Sequence, residues 1–250
     1  MRFFPPGRAE PDHIMLDIEG RPVRVEVRRN ARARRYTLRL AASGGNPVLT
    51  IPDRGTFKTA STFAEDHRGW LADSMKKMPE AQPFCAGGTV PLRGVPHLID
   101  QRPTARGTVR TEKTEEGLSL VVCGEEPYLA RRLTDYLKRE ARRDLSAAVE
   151  HHATTLARLH ATNRKPTGLS IRDTRSRWGS CTAKGKLNFS WRLILAPPFV
   201  LDYVAAHEVA HLVEMNHSDR FWAVTHDLFA ETERARKWLR RYGNELHSYG

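Results

Sequence analysis

The stretch His207-Glu208-Val209-Ala210-His211, with His217 following, constrains this chain more than any other part of it. Its flanks, Val200, Tyr203, Val204, Ala205, Ala206, Val209, Ala210, Leu212 and Val213, are apolar on nearly every side, which predicts a helix buried in a core. On a helix, residues four apart share one face, with Cβ atoms about 5–6 Å apart. His207 and His211 therefore present two imidazoles to a single point. Zinc takes nitrogen ligands at about 2.0–2.1 Å, and a catalytic zinc keeps three protein ligands and one open position. Glu208 projects about 100° round the helix from His207. It lies beside such an ion without having to bind it, where it can act as the base toward a water.

The third ligand depends on how the chain leaves the helix. Asn216 tolerates the left-handed conformation that commonly ends helices, so the turn is expected there. Ser218 is the expected N-cap of a helix starting near Asp219. The metzincin pattern places its third histidine at the same offset but has a Gly where this chain has Glu214, which argues against that group. Glu214 is itself a rival ligand, since some zinc sites use two His and one Glu. Its position only three residues past His211 limits its reach, so His217 is favoured and Glu214 stays open as the alternative.

The 250 residues admit one large domain or two small ones. No run of about 18 apolar residues is present, so no membrane span is expected. Met1 to Asp12 carries Pro5, Pro6 and Pro11 but no apolar core of a secretory signal, and a partly disordered tail is expected there. Cys85, Cys123 and Cys181 are odd in number and far apart, giving neither a disulfide framework nor a thiolate zinc site. A reducing cytoplasm is the compartment that fits. Lys plus Arg exceed Asp plus Glu by 41 − 29 = 12, a balance that attracts nucleic acid, nucleotides or other anions but says nothing about fold.

Val23, Val25 and Val27, then Tyr36, Leu38 and Leu40, alternate with polar residues and predict two half-buried strands. Between them lies a basic run containing Arg32, Arg34 and Arg35, which either offers phosphate contacts or, as on edge strands, simply discourages edge-to-edge pairing. Pro47–Ile51 after the Gly44-Gly45-Asn46 turn signal adds a third strand, giving a small antiparallel sheet. Helical spacing from Phe57 to Met78 predicts one helix on that sheet, with Trp70 in its core. Short strands follow at Thr89–Leu92, His97–Asp100 and Leu118–Val122. Pro127 begins a long helix to about His160, with Leu129, Leu133, Leu137, Leu145, Val149 and Leu156 in its apolar stripe.

A second signal lies in Arg177-Trp178-Gly179-Ser180-Cys181, where a structural thiol is the expected role of Cys181. Lys184-Gly185 predicts a hairpin turn into a strand over Leu187–Leu195, whose backbone could pair with an extended substrate. Pro197-Pro198 ends that strand and starts the motif helix. A last helix after Ser218 carries Phe221 and Trp222 under the metal helix, with Gly243 as its C′ residue. Arg177 and Tyr242 are conceivable oxyanion partners, although no spacing places either.

Together, Arg177–Cys181, the Asn188–Pro197 stretch, Tyr203-Val204-x-x-His207-Glu208-x-x-His211 and Asn216-His217-Ser218-x-x-Phe221-Trp222 resemble the YgjP-like metallopeptidase domain family. That family is related to the SprT-like and WLM zinc proteases, which share a gluzincin-type motif and a later H-x-x-x-F histidine. The resemblance implies a hydrolase fold with His207, His211 and His217 as zinc ligands and Glu208 as catalytic base. Asp219 stands where many relatives have Pro, a helix-start difference that leaves the site unaffected. The expected architecture is α+β, with a small N-terminal antiparallel sheet-and-helix lobe over residues 1–125. A zincin-like catalytic lobe with the H-E-x-x-H helix follows over 126–250. The expected activity is that of a zinc metallopeptidase, with one Zn2+ per chain and a protein or peptide substrate. A metal-dependent hydrolase of nucleotide phosphoanhydrides, to which Arg175 and Arg177 lend weight, is one rival; a nucleic-acid-associated protease or binding protein is the other.

Overall fold

Four strands and two helices make up the first part of the chain in this computed structural model, which describes residues 11–40, 45–103, 106–115 and 117–250. The expected N-terminal tail falls mostly on residues 1–10, outside the described residues. The strands are β1 (His13–Ile18), β2 (Arg21–Asn30), β3 (Thr37–Arg39) and β4 (Val48–Pro52), in the order β1-β2-β4-β3. The sheet is not wholly antiparallel as expected. β2 runs on beyond β1, and its second half pairs in parallel with β4, in register from Glu26↔Val48 to Asn30↔Pro52. Two helices, α1 (Phe57–Asp66) and α2 (Arg68–Lys76), replace the single one expected over this stretch, with the break at His67. The His67 ring bonds back to the Phe63 carbonyl at 2.8 Å, which stabilises that end of α1. Ala60, Ala64, Leu71 and Ala72 close the core over Leu16, Val25, Leu49 and Ile51. Trp70 lies about 100° round from Leu71, off that inward face, and is 47% exposed rather than core.

The same strand order recurs in the next sheet, built from β5 (Thr89–Leu92), β6 (Val95–Arg102), β7 (Arg110–Thr114) and β8 (Gly117–Cys123) in the order β5-β6-β8-β7. Again an antiparallel hairpin is followed by a parallel pair, β6 with β8. Each opening hairpin turns through two residues of positive φ, Glu19-Gly20 (52° and 79°) and Arg93-Gly94 (54° and 77°), the conformation two-residue hairpins favour. The second turn is also a dock: Arg93 N–H donates to Ile194 O (2.7 Å) and Gly94 N–H to Leu195 O (3.0 Å). The Arg93 guanidinium pairs with both oxygens of Asp144 (2.7 and 2.9 Å) and with Glu140 (2.8 Å). A side chain on Gly94 would meet Pro197 at 2.9 Å, so glycine is required by space as well as by φ.

α3 (Leu129–Leu159) follows the 3-10 turn Glu126–Tyr128 and buries Leu129, Leu133, Leu137, Ala141, Leu145, Val149, His152 and Leu156, one face of a 31-residue helix. The third sheet has β9 (Gly168–Arg172), β10 (Gly179–Cys181) and β11 (Lys186–Ser190) in the order β10-β11-β9. The strand expected to reach Leu195 stops at Ser190, and Trp191–Leu195 forms a 3-10 turn with all five side chains buried. α4 (Pro198–Ala210), α5 (Asp219–Leu228) and α6 (Thr232–Leu246) complete the chain, two final helices standing where one was expected. Gly243 lies inside α6 rather than ending it, and its bare Cα lets the Trp178 ring approach within 3.3 Å of where a Cβ would stand.

The chain divides into two compact units, Met1–Pro79 and Glu80–Gly250, rather than near residue 125. Val90, Leu92, Ile99, Leu120 and Val122 of the second sheet share one core with Leu129, Leu133 and Leu137 of α3, so the sheet belongs with the helices that follow. The architecture is thus mixed α+β, with small antiparallel-rich sheets and six α-helices among the described residues. Among those residues no helix is long and apolar enough to cross a membrane.

Candidate metal centre

The last turn of α4 carries His207 and Glu208, with His211 as its C-cap residue. Val200, Leu201, Val204, Ala205, Ala206, Val209 and Ala210 are buried around the helix, as its uniformly apolar composition requires. The exit after His211 is made by tight turns, with N–H groups of Leu212, Val213 and Glu214 bonding back to Val209 and Ala210 at 2.9–3.1 Å. Asn216 is not left-handed: among the described non-glycine residues only Glu19, Arg93 and Ala161 have positive φ. The His211 ring does the work expected of that turn, its Nδ1 lying 3.0 Å from the Glu214 carbonyl oxygen. Ser218 caps α5 as expected, its side chain accepting from Phe221 N–H, and so fixes the loop one residue after His217.

This path brings His207, His211 and His217 together, one ring nitrogen from each lying within 4.8 Å of the others, a group able to hold a metal ion. The Nε2 atoms of His207 and His217 are 3.1 Å apart. Glu214 contributes its carbonyl to His211, while its carboxylate lies 4.0 Å from Arg220 and is not part of that group. Phe221 is fully buried beneath all three rings, with centroids at 4.8 Å from His207, 4.5 Å from His211 and 4.7 Å from His217. Trp222 flanks His207 and His217 at 6.0 and 5.9 Å. Tyr203, one turn before His207, places its hydroxyl 3.4 Å from His207 Nδ1.

Burial, aided by the neighbouring imidazoles, pushes His207 down to about 3, and burial likewise lowers His211. Both rings are neutral at neutral pH, the form in which imidazole ligates a metal. Glu208 is buried, and desolvation drives its carboxyl up to about 8, opposed by the charge of exposed Arg177. Its Oε2 has no hydrogen-bond partner among the described residues. A buried carboxyl left in this state costs stability unless something else in the site answers its charge.

The sequence motif does not include one neighbour of Glu208. A Cβ on Gly179 would stand 2.4 Å from Glu208 Oε1 and 2.6 Å from its Cγ, so the backbone of β10 lies directly against the Glu208 side chain. A glycine inside a strand often marks such a close approach, and that was the available signal. β11 is the central strand of its sheet, flanked by β10 and β9, and cannot take up a substrate as expected; the free edge beside Glu208 belongs to β10. Cys181 keeps its proton, its thiol raised to about 11 by burial and by the Glu208 charge, as a structural thiol would. Of the two conceivable oxyanion partners, Arg177 acts on Glu208 through its charge, whereas Tyr242 packs on Trp238 at 5.4 Å with Arg241 over its ring.

A family model described as YgjP-like, metallopeptidase domain, matches residues 34–242. No curated protein and no solved structure matches the chain.

Proposed function

The chain belongs to the YgjP-like family and carries its metallopeptidase domain, and on that premise we propose that it is a zinc-dependent peptidase of zincin type with Glu208 as general base. The observation that carries this reading is the meeting of three imidazoles beside a buried carboxyl with an unpartnered oxygen. Nitrogen ligands at about 2.0–2.1 Å on a tetrahedral ion stand about 3.3 Å apart, close to the 3.1 Å between His207 Nε2 and His217 Nε2. The all-nitrogen donor set suits zinc better than calcium or magnesium, which take oxygen.

In this reading His207 and His211 approach the ion from the helix and His217 from the loop. His211 donates its Nδ1–H to the Glu214 carbonyl and His207 turns its Nδ1–H toward the Tyr203 hydroxyl, leaving both Nε2 atoms free as ligands. Phe221 holds the three rings in place from below. Zinc bound there supplies a Lewis acid, lowering the pKa of a water to about 7. Glu208 accepts the proton of the attacking water and can pass it to the leaving amine. A nearby divalent charge works against the desolvation that raises Glu208, favouring the carboxylate the base requires. Trp178 and Ser190, then Thr182 and Lys186, face one another through the hydrogen bonds of the β10–β11 pair. Alternation leaves Gly179 and Cys181 to present their backbone groups on the free edge, where an extended peptide could pair.

The test is hydrolysis of an unfolded protein substrate by the zinc-loaded chain, with a nucleotide panel alongside. Peptide-bond cleavage that a chelator abolishes and zinc restores is the expected result. Metal-dependent turnover of nucleotides without peptide cleavage would overturn the peptidase reading.

The first unit supports a second reading, association with nucleic acid. Arg34, Arg35 and Arg39 gather with the cross-strand pair Thr37–Thr50 round an open recess of about 490 Å³. Each phosphate contact contributes about 0.7–0.9 to the slope of log affinity against log salt. Replacing the three arginines with Gln is expected to flatten that slope by about 2–3, read by fluorescence anisotropy of a labelled oligonucleotide across a salt series. An unchanged slope would leave these arginines as solvated surface.

A further inference from the structure

Along β10, away from Glu208, the chain enters the turn Thr182–Gly185, and here His211 forms one wall of a recess of about 190 Å³. Arg164, Lys165 and Lys184 line it, and it contains no acidic residue. All three cations are exposed, and among the described residues none of them forms an ion pair.

The turn is held firmly. Thr182 Oγ1 accepts from Lys186 N–H (3.0 Å), and Gly185 N–H donates to Thr182 O (2.8 Å). Thr167 clamps the turn from the β9 side, its hydroxyl donating to Lys184 O (2.9 Å) and its N–H to Gly185 O (3.0 Å). Gly185, at φ 78°, packs against Leu212, the residue after His211. Lys184 therefore stands on a fixed turn, and with Arg164 and Lys165 it lines a recess that shares a wall with the metal centre. β10 ends at the recess: Gly179 touches Glu208, and Thr182, which lines the recess, is three residues further along. At about 3.3 Å per residue, a peptide lying on the free edge of β10 reaches the recess roughly two to four residues from the bond being cleaved.

We propose that this recess is a carboxylate-binding subsite, through which the peptidase site selects chains carrying Asp or Glu roughly two to four residues from the scissile bond. It rests on the peptidase reading of the site itself. Peptide carboxylates are favoured over phosphates because the free strand edge leading into the recess is a binding mode for a peptide backbone. Lys184 on its rigid turn sets the position, and Arg164 and Lys165 supply the opposing charge.

The experiment uses the zinc-loaded Glu208→Gln chain, which consumes the probe about 10²–10⁴-fold more slowly than the parent, and fluorescein-labelled ten-residue peptides in twin sets bearing one Glu or one Gln at each position. At low salt the Glu twin at one or two adjacent positions is expected to bind about 10-fold tighter, since each such pair contributes up to about fivefold. The advantage should shrink below about threefold when Lys165→Glu and Lys184→Glu are combined. Equal affinity of the twins at every position overturns the subsite, as does an advantage that survives the charge reversal. So does ATP competing for the recess as strongly as the acidic peptide, which would assign it to phosphate. Cleavage of the same peptides by the wild-type chain separates the two levels. Cleavage with no acidic preference sinks the subsite alone; acid-selective binding with no cleavage sinks the peptidase reading.

Discussion

Glu208→Gln is expected to keep its metal and its fold and to lose about 10²–10⁴-fold in peptide hydrolysis, the usual worth of a positioned general base. The size of the loss follows from how tightly the side chain is held. Glu208 is 4% exposed, and its Oε1 and Cγ lie where a Cβ on Gly179 would collide with them. Gly179 bounds the side chain on that side, and the amide is expected to occupy the place of the carboxyl. It matches the carboxyl in size and can still hydrogen-bond a water, but it cannot accept a proton at neutral pH. Zinc content is expected to be unchanged because the imidazoles of His207, His211 and His217 are untouched. The metal-free variant should be no less stable than the metal-free parent, since it removes a buried ionisable group with an unpartnered oxygen. Turnover of the variant within about twofold of the parent would remove Glu208 from the chemistry.

His217→Ala carries the second large effect, on metal rather than on chemistry. Changing a group that merely orients a ligand typically costs 10–100-fold in metal affinity, so removing a ligand outright is expected to cost more than about 100-fold. His217 is the cleanest of the three to test because it is exposed and sits on the loop before the Ser218 cap, whereas His211 is 8% exposed and packed on Phe221. Truncating His217 opens no core cavity, and thermal unfolding of the metal-free variant is expected to match the parent. Metal titration of the folded variant, with unfolding followed in parallel, separates loss of a ligand from loss of the fold. Unweakened binding would put Glu214 back in contention as the third ligand.

The three-histidine group was legible because its spacing obeys local rules. Residues four apart on a helix meet whatever the rest of the chain does, and Ser218 announces the next helix by its own chemistry. What the sequence left unread depends on partners distant in the chain. The glycine within Arg177–Cys181 marks a close approach but does not name Glu208 as the neighbour, because the contact exists only once β10 lies on α4. The parallel pairing of β2 with β4 and the recurrence of the same order in β5–β8 depend on long-range registers that alternation does not encode. Trp70 was misplaced because a large apolar residue one position off a helix stripe looks like core until the width of the sheet beneath is known. The strand expected through Leu195 failed for a related reason. Trp191–Leu195 is apolar except for Arg192, which is itself buried against Asp173 and the Tyr249 carbonyl. Without that long-range ion pair in view, the segment reads as one more half-exposed strand.

X-ray absorption at the zinc edge, on the chain loaded with one equivalent of zinc, tests the central claim most directly. The expected spectrum has a first shell of nitrogen and oxygen at about 2.0–2.1 Å, with outer-shell scattering from three imidazole rings, and it loses one ring's contribution in His217→Ala. A sulfur scatterer at about 2.3 Å, which only a cysteine such as Cys181 or a methionine could supply, or fewer than three imidazoles in the parent chain, would contradict the account.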